Sequence, residues 1–274
     1  MKKKITIGIV GCGAIGTSLA LSITRDFSRE MRVSAVYDTD TAKKDLLSKT
    51  ISMKKRLSAR SLTDLIDKSD LVIEASSARC SWDIAQKVLK RGRDIMIMSI
   101  GGVLPYYKEL SALAKKYARK VYLPSGALSG IDGIKASSGA RILSVTLTTT
   151  KHPLSFTGNA YVEDSGIDLK KIKKDTVLFS GNAQSAVKYF PQNINVAAIV
   201  SIAGIGPYRT KVRIVASPAS KRNIHEVAVE SAAGKILART ENLLHPDNPK
   251  TSYLAVLSAY AALKQIIDPV KIGT

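Results

Sequence analysis

The chain has 274 residues, 45% hydrophobic and 23% charged, and 42 Lys and Arg against 22 Asp and Glu give it a net charge of +20. At roughly 150 residues per domain this predicts two domains with proper cores, and the composition excludes a disordered chain. Two cysteines, Cys12 and Cys80, exclude a disulfide scaffold, and the dispersed His152, His225 and His245 argue against a zinc site.

In chain order, Met1-Lys2-Lys3-Lys4 ahead of an apolar run imitates a secretion signal, but the run carries glycines and no clean cleavage site follows. Ile5 to Val10 instead reads as a buried parallel strand ending at glycines. Ala14 to Arg25 follows with helical periodicity through Ile15, Leu19 and Ile23. Val33–Tyr37 reads as a strand, Ser61–Lys68 as a short helix and Leu71–Ala75 as a third strand. Trp82, Ala85, Val88 and Leu89 share one face of the helix after it. Asp94–Met98 and Lys120–Leu123 are further strands, separated by a helix through Leu110, Leu113 and Ala114. This βα alternation predicts an α/β fold, an N-terminal Rossmann-type doubly wound parallel sheet over residues 1–125.

Beyond Pro124 the period changes to two. Arg141–Thr149, Thr176–Phe179 and Lys211–Val215 alternate, and Glu226–Glu230 and Ile236–Thr240 flank Ser231-Ala232-Ala233-Gly234 as a hairpin. These strands predict a second α+β domain, residues 126–245, with a mainly antiparallel sheet wet on one face. A helix over about Ala183–Val200, kinked or divided at Pro191, interrupts them. The closing helix, Ser252 to about Ile267, presents Tyr253, Val256, Tyr260, Leu263 and Ile267 on one face. The most apolar stretch, Ile194 to Gly206, falls short of the about 20 residues a membrane span needs. The lysines are dispersed, even counting Lys170-Lys171-Ile172-Lys173-Lys174, and no aromatics interleave them. That pattern speaks for a solvated basic surface that draws in anionic small molecules rather than a nucleic-acid surface.

Gly11-Cys12-Gly13-Ala14-Ile15-Gly16 is a G-x-G-x-x-G that follows a strand and opens a helix, the context a dinucleotide fingerprint requires. Gly11 permits the tight turn, Gly13 lets the backbone approach a pyrophosphate and Gly16 allows close helix–strand packing, while the helix N-terminus attracts phosphate charge. Asp38, ending the second strand, is placed to hydrogen-bond a ribose 2′-hydroxyl, which favours NAD without settling the case against NADP. Glu74-Ala75-Ser76-Ser77 and Ser99-Ile100-Gly101-Gly102 end strands on the edge where such sheets bind ligands, and each serine reads equally well as a helix cap. Ser125-Gly126-Ala127 reads as a hinge, as a close approach for a ligand, or as both. Asn193 and Asn195 head an apolar helix, either bonded locally or facing a polar ligand. His225, near the start of a strand, is either a general base in its neutral form or a hydrogen-bonded structural histidine. Lys250 meets a carboxylate or water, and Thr251 or Ser252 is a natural N-cap.

Together Gly11 to Gly16, Glu74-Ala75-Ser76, Ser125-Gly126-Ala127, Phe190-Pro191 with Asn193 to Ala198, Asn223-Ile224-His225-Glu226 and Asn248-Pro249-Lys250-Thr251-Ser252-Tyr253 resemble the L-aspartate dehydrogenase family over nearly the whole chain. The resemblance implies that segment 246–274 completes the Rossmann domain and that the second domain supplies catalytic side chains and a dimer contact. It implies oxidation of L-aspartate by NAD or NADP to iminoaspartate, which hydrolyses to oxaloacetate and ammonia or feeds NAD biosynthesis, in a homodimer; the reading of the N-terminus as a strand rather than a signal predicts a cytoplasmic location. His225 is then the catalytic residue. Gly11, Gly13, Ala14, Ile15, Gly16, Asp38 and Ser76 belong to the cofactor site, and Ala127 and Asn195 meet its nicotinamide end, with Asn193 a close rival. Asn193, Lys250 and Thr251 are the substrate-side candidates; no metal, nucleic acid or membrane partner is implied. The segment His152–Lys174 is the least matched. Two other readings stay open: an NAD(P)-dependent reductase of another small carboxylate and a non-enzymatic NAD-binding regulator. The histidine pair and Lys-x-Asp-x-Pro-Ser-Gly-Thr of dihydrodipicolinate reductases and the Glu-Lys-Pro of glucose–fructose-type enzymes do not occur.

Overall fold

The structure, a computed structural model, describes residues 3–53, 56–190, 194–246 and 248–273, with the backbone alone at 248–251. The chain forms two compact units, Met1–Pro124 with Val256–Lys271, and Ser125–Ala255 with Ile272–Thr274.

The first unit alternates β1 (Ile5–Val10), α1 (Ala14–Arg25), β2 (Met31–Tyr37), α2 (Thr41–Ile51), α3 (Leu62–Asp67), β3 (Leu71–Glu74), α4 (Ala78–Lys90), β4 (Asp94–Ile97), α5 (Tyr107–Lys116) and β5 (Val121–Tyr122). All five strands pair in parallel in the order β2-β1-β3-β4-β5. The order reverses between β1 and β3, and sheets of this kind bind ligands outside the carboxyl ends of the strands at that point. Alternation divides each buried strand between two faces. Ile7, Ile9, Ile73 and Met96 pack with Leu19 and Ile23 of α1 on one side. Gly8 points the other way, where a Cβ would strike Leu65 of α3 at 2.6 Å. Helix α2 has no counterpart in the sequence reading. Its buried residues are only Leu47 and Ser48, too narrow a stripe to reveal a period. Asp40 starts it by accepting from the amides of Ala42 and Lys43 at 3.0 and 3.2 Å.

The second unit holds α6 (Ile131–Ser137), β6 (Ile142–Lys151), α7 (Ala160–Asp164), β7 (Thr176–Asn182), α8 (Ala183–Tyr189), α9 (Ile194–Ala203), β8 (Lys211–Ala216), β9 (Asn223–Ser231), β10 (Gly234–Asn242), β11 (Leu244–His245) and β12 (Asn248–Ser252). Its large sheet runs β10-β9-β6-β8-β7 and is antiparallel except between β6 and β8. That pair is parallel because the chain crosses over through α7, β7, α8 and α9 before β8, and parallel neighbours require such a long connection. Where the sequence predicts one helix divided at Pro191 there are two, α8 and α9; Pro191 itself lies outside the described residues. Of the two candidate caps, Thr251 lies inside β12, which pairs antiparallel with β11, and Ser252 ends that strand immediately before the next helix. Helix α10 (Tyr253–Ile267) begins only at Tyr253. Among the described residues no helix is long and apolar enough to cross a membrane.

Val256, Ala259 and Leu263 of α10 join the core of the first unit, and Tyr260 lies 4.8 Å from the Phe27 ring, centroid to centroid. Leu263 is fully buried whereas Leu257 is 42% exposed. Leu263→Ala is therefore expected to cost about 2–5 kcal/mol and Leu257→Ala about 0.5 kcal/mol or less. Urea unfolding of the two variants checks this; equal effects would show that α10 does not complete that core.

Candidate functional site

The glycine loop after β1 is set by steric exclusion. Gly11 has φ +95°, and a Cβ there would sit 2.3 Å from the Ala75 carbonyl oxygen beyond β3. A Cβ on Gly16 would lie 1.9 Å from the Gly11 carbonyl oxygen, so only glycine lets α1 start this close to the loop. Gly13 differs: its Cβ would meet nothing within 4 Å, which leaves the backbone open to an approaching group. No side chain caps α1 and no acid stands in its first turn, so the amides at its head, including those of Ala14, Ile15 and Gly16, are directed at that opening. The residues thus fit the pyrophosphate of a dinucleotide. Asp38 is half-buried and already engaged: one carboxylate oxygen accepts from the Cys12 amide at 2.7 Å, the other from the Asp40 amide at 2.8 Å. Burial and then the Asp38 charge push the Cys12 thiol up to about 12, which keeps it protonated and unreactive.

Across the switch point, Glu74 ends β3 with its side chain fully buried. It accepts from the Ser76 amide at 2.8 Å, the Ser76 hydroxyl at 2.7 Å and the Ser99 amide at 3.1 Å. Burial raises its pKa, and those hydrogen bonds oppose the rise. The Ser76 hydroxyl, read from the sequence as a cofactor contact or a cap, is committed to Glu74; it helps shape the loops after β3 and β4.

In the second unit, β6 sends Val145, Leu147, Thr149 and Lys151 to its buried face, and β9 sends His225, Val227 and Val229. The face is aliphatic at one end and polar at the other. Thr149 and His225 are directly opposed in the antiparallel pair, and the Thr149 hydroxyl lies 2.9 Å from His225 Nδ1. Burial, and secondarily the nearby Lys151 charge, lower the His225 pKa to about 3, so the imidazole is neutral at physiological pH. Burial alone lowers Lys151 to about 8. Nε2 of His225 has no hydrogen-bond partner among the described residues. With the ring proton on Nδ1 and donated to Thr149, Nε2 presents a lone pair and the arrangement can accept a proton.

The loop before α6 is fastened to this sheet. Asn242, on β10, donates to the Ala127 carbonyl at 2.8 Å and to the Asn223 carbonyl at 3.4 Å. The Ser129 amide donates to the Thr240 hydroxyl at 3.1 Å, and Thr240 is the cross-strand partner of His225. Ala127 is thereby tied to the strand that carries His225. Asn195 stands exposed in the first turn of α9; Asn193 lies outside the described residues, and Lys250 and Thr251 are described only as backbone of β12. Thr149, Lys151 and Asn242 escaped the sequence reading. The signal for the first two was the alternation from Arg141: carried two residues past Thr149, it puts Lys151 on the face of Val145 and Leu147. Among the described residues no group of three His, Cys, Asp or Glu side chains could hold a metal ion.

Residues 11–124 match the NAD-binding domain family of homoserine dehydrogenase, and residues 132–266 match the C-terminal domain family of aspartate dehydrogenase. The L-aspartate dehydrogenase of Methanosarcina barkeri is 46% identical over 274 residues, covering 98% of this chain and 100% of that protein. That of Methanococcoides burtonii is 45% identical over 278 residues, with the same coverage of 98% and 100%. The crystal structure of aspartate dehydrogenase from Thermotoga maritima shares the fold with a TM-score of 0.72 at 24% identity, covering 99% of this chain and 100% of that one.

Gly13→Ala is expected to fold with a stability change of about 1 kcal/mol or less and to lose dinucleotide affinity, because its methyl enters open space that a ligand needs. Thermal unfolding beside fluorescence titration with NADH tests this; unimpaired NADH binding would place the pyrophosphate elsewhere. A second expectation concerns pH. Because the folded-state pKa of His225 lies near 3, below its ordinary 6.5, the folded protein binds fewer protons than the unfolded chain between those values. Stability therefore rises with pH through that window and is lost as pH falls. His225→Gln should flatten this slope in denaturant titrations; an unchanged slope would mean the imidazole is not desolvated.

Proposed function

Because this chain belongs to the L-aspartate dehydrogenase family, we propose that it catalyses the NAD(P)-dependent oxidation of L-aspartate to iminoaspartate, which water converts to oxaloacetate and ammonia. The observation that carries the assignment of roles is the buried, neutral imidazole of His225 held by Thr149. The glycine loop and the head of α1 hold the pyrophosphate, Asp38 faces the ribose with the lone pairs its two amide partners leave free, and Ala127 and Asn195 meet the nicotinamide end. Bound there, the oxidised nicotinamide supplies the acceptor for the hydride that leaves Cα.

The remaining work belongs to the chain's own side chains. The substrate amine must lose a proton before its lone pair can assist departure of the hydride. His225 Nε2 takes that proton, while Thr149 accepts from Nδ1 and fixes the ring and its tautomer. Hydrolysis of the imine adds one water across C=N and releases ammonia, and the same imidazole orients that water. Asn193, Lys250 and Thr251 serve on the substrate side. The protein acts as a cytoplasmic homodimer whose iminoaspartate also feeds NAD biosynthesis.

The test is formation of reduced nicotinamide, read by absorbance, when the purified protein meets L-aspartate or a panel of other amino acids with NAD or NADP. Aspartate-specific reduction is expected, and His225→Ala should lower kcat about 10²- to 10⁴-fold with cofactor binding retained. Cofactor binding without turnover of any amino acid would sink the assignment.

A further inference from the structure

Lys151 is the only Lys or Arg in the buried class among the described residues, at 8% exposure, and it stands in no hydrogen bond or ion pair through its ammonium. Its own backbone is pinned: the carbonyl accepts from the Ser217 amide at 2.9 Å, and Lys151 lies opposite Ala216 at the end of β8. An unpaired ammonium in such a position is less favourable than a methionine would be, so stability does not account for it. The one buried carboxyl among the described residues, Glu74, is in the other unit and already bonded to Ser76 and Ser99. On the buried face Lys151 stands two residues beyond Thr149, whose direct cross-strand partner is His225, which places ammonium and imidazole on one face as diagonal neighbours.

We propose that the Lys151 ammonium receives a carboxylate of the dicarboxylate substrate, holding it beside the His225 imidazole. The assignment rests on the reading of the reaction given above and names the residue that makes an acidic substrate preferred. An anion paired with Lys151 satisfies a charge the protein leaves open, in a setting where screening by water is weak. It also offsets the positive field that depresses the imidazole. Burial remains the larger cause of the depression, and a bound carboxylate relieves only the secondary part that Lys151 contributes. An amino acid without that group leaves Lys151 unpaired, so discrimination appears in KM.

Succinate, which carries both carboxylates but no amine to oxidise, is the probe. Its affinity for the full-length protein, with and without NADH, is measured by calorimetry for wild type, Lys151→Met and Lys151→Arg. Loss of a charge-assisted contact is expected to weaken succinate about 10- to 100-fold in Lys151→Met and to raise KM for L-aspartate by a similar factor. Lys151→Arg should restore much of both, NADH affinity should stay unchanged, and Lys151→Met should melt no lower than wild type. Unchanged succinate affinity and KM in Lys151→Met, in a protein that oxidises aspartate, overturn the proposal and leave the reaction standing. So does Lys151-independent weakening, seen as equal losses in the Met and Arg variants together with lost NADH binding. Lys151-dependent succinate binding in a protein that oxidises no amino acid upholds the anion site and overturns the reaction. A wild-type protein that binds no succinate in either state overturns the anion site.

Discussion

Three stretches of backbone meet at the switch point of the first sheet with no room for one methyl group among them. A Cβ at Gly11 would strike the carbonyl beyond β3, and one at Gly16 would strike Gly11. This exclusion decides where α1 begins, and that in turn decides where its free amides point. Gly13, between the two, is unconstrained by protein atoms. One hexapeptide thus contains two glycines demanded by the fold and one that packing leaves open, and the distinction lies in what surrounds each Cα.

The second sheet manages polarity differently. It keeps a single buried face but changes its chemistry along the strands, from Val145, Leu147, Val227 and Val229 to Thr149, Lys151 and His225. The aliphatic end supplies the burial that holds the unit together, and the polar end is carried on rigid, fully paired strands. A histidine opposed by a threonine in register has its ring nitrogen positioned by the ladder itself, which is more exact than any loop could supply. Neutrality of that ring follows from burial first and a neighbouring cation second.

The parallel sheet, the hairpin β9–β10 and the glycine loop were legible in the sequence because each depends on local pattern: apolar runs, period-two alternation and turn glycines. Helix α2 was not, since its lysine-rich surface leaves too few apolar positions to mark a stripe. The parallel pairing of β6 with β8 was hidden because their partnership is settled by a distant crossover. The ribbon β11–β12 was hidden because two short strands carry no period of their own. Among the candidate residues, His225 and Gly11 to Gly16 could be named from the chain, whereas Lys151 could not: a lysine ending an alternating run looks solvated until the opposing strands and helices show which face is covered. Asn242 reaches Ala127 across 115 positions, a distance over which sequence pattern carries no information.

Asp38 has one further consequence, for redesign. Its carboxylate closes the turn by accepting the Cys12 amide and starts the next one by accepting the Asp40 amide. A change aimed at admitting a phosphorylated ribose, which would begin by removing this acid, also deletes two acceptors that the backbone uses, one of them for an amide of a buried residue. On the proposed contact of Asp38 with the ribose, nucleotide preference and loop integrity are linked at one codon. They separate only if the replacement still offers a carbonyl or hydroxyl oxygen to Cys12, as asparagine or serine can and glycine or alanine cannot.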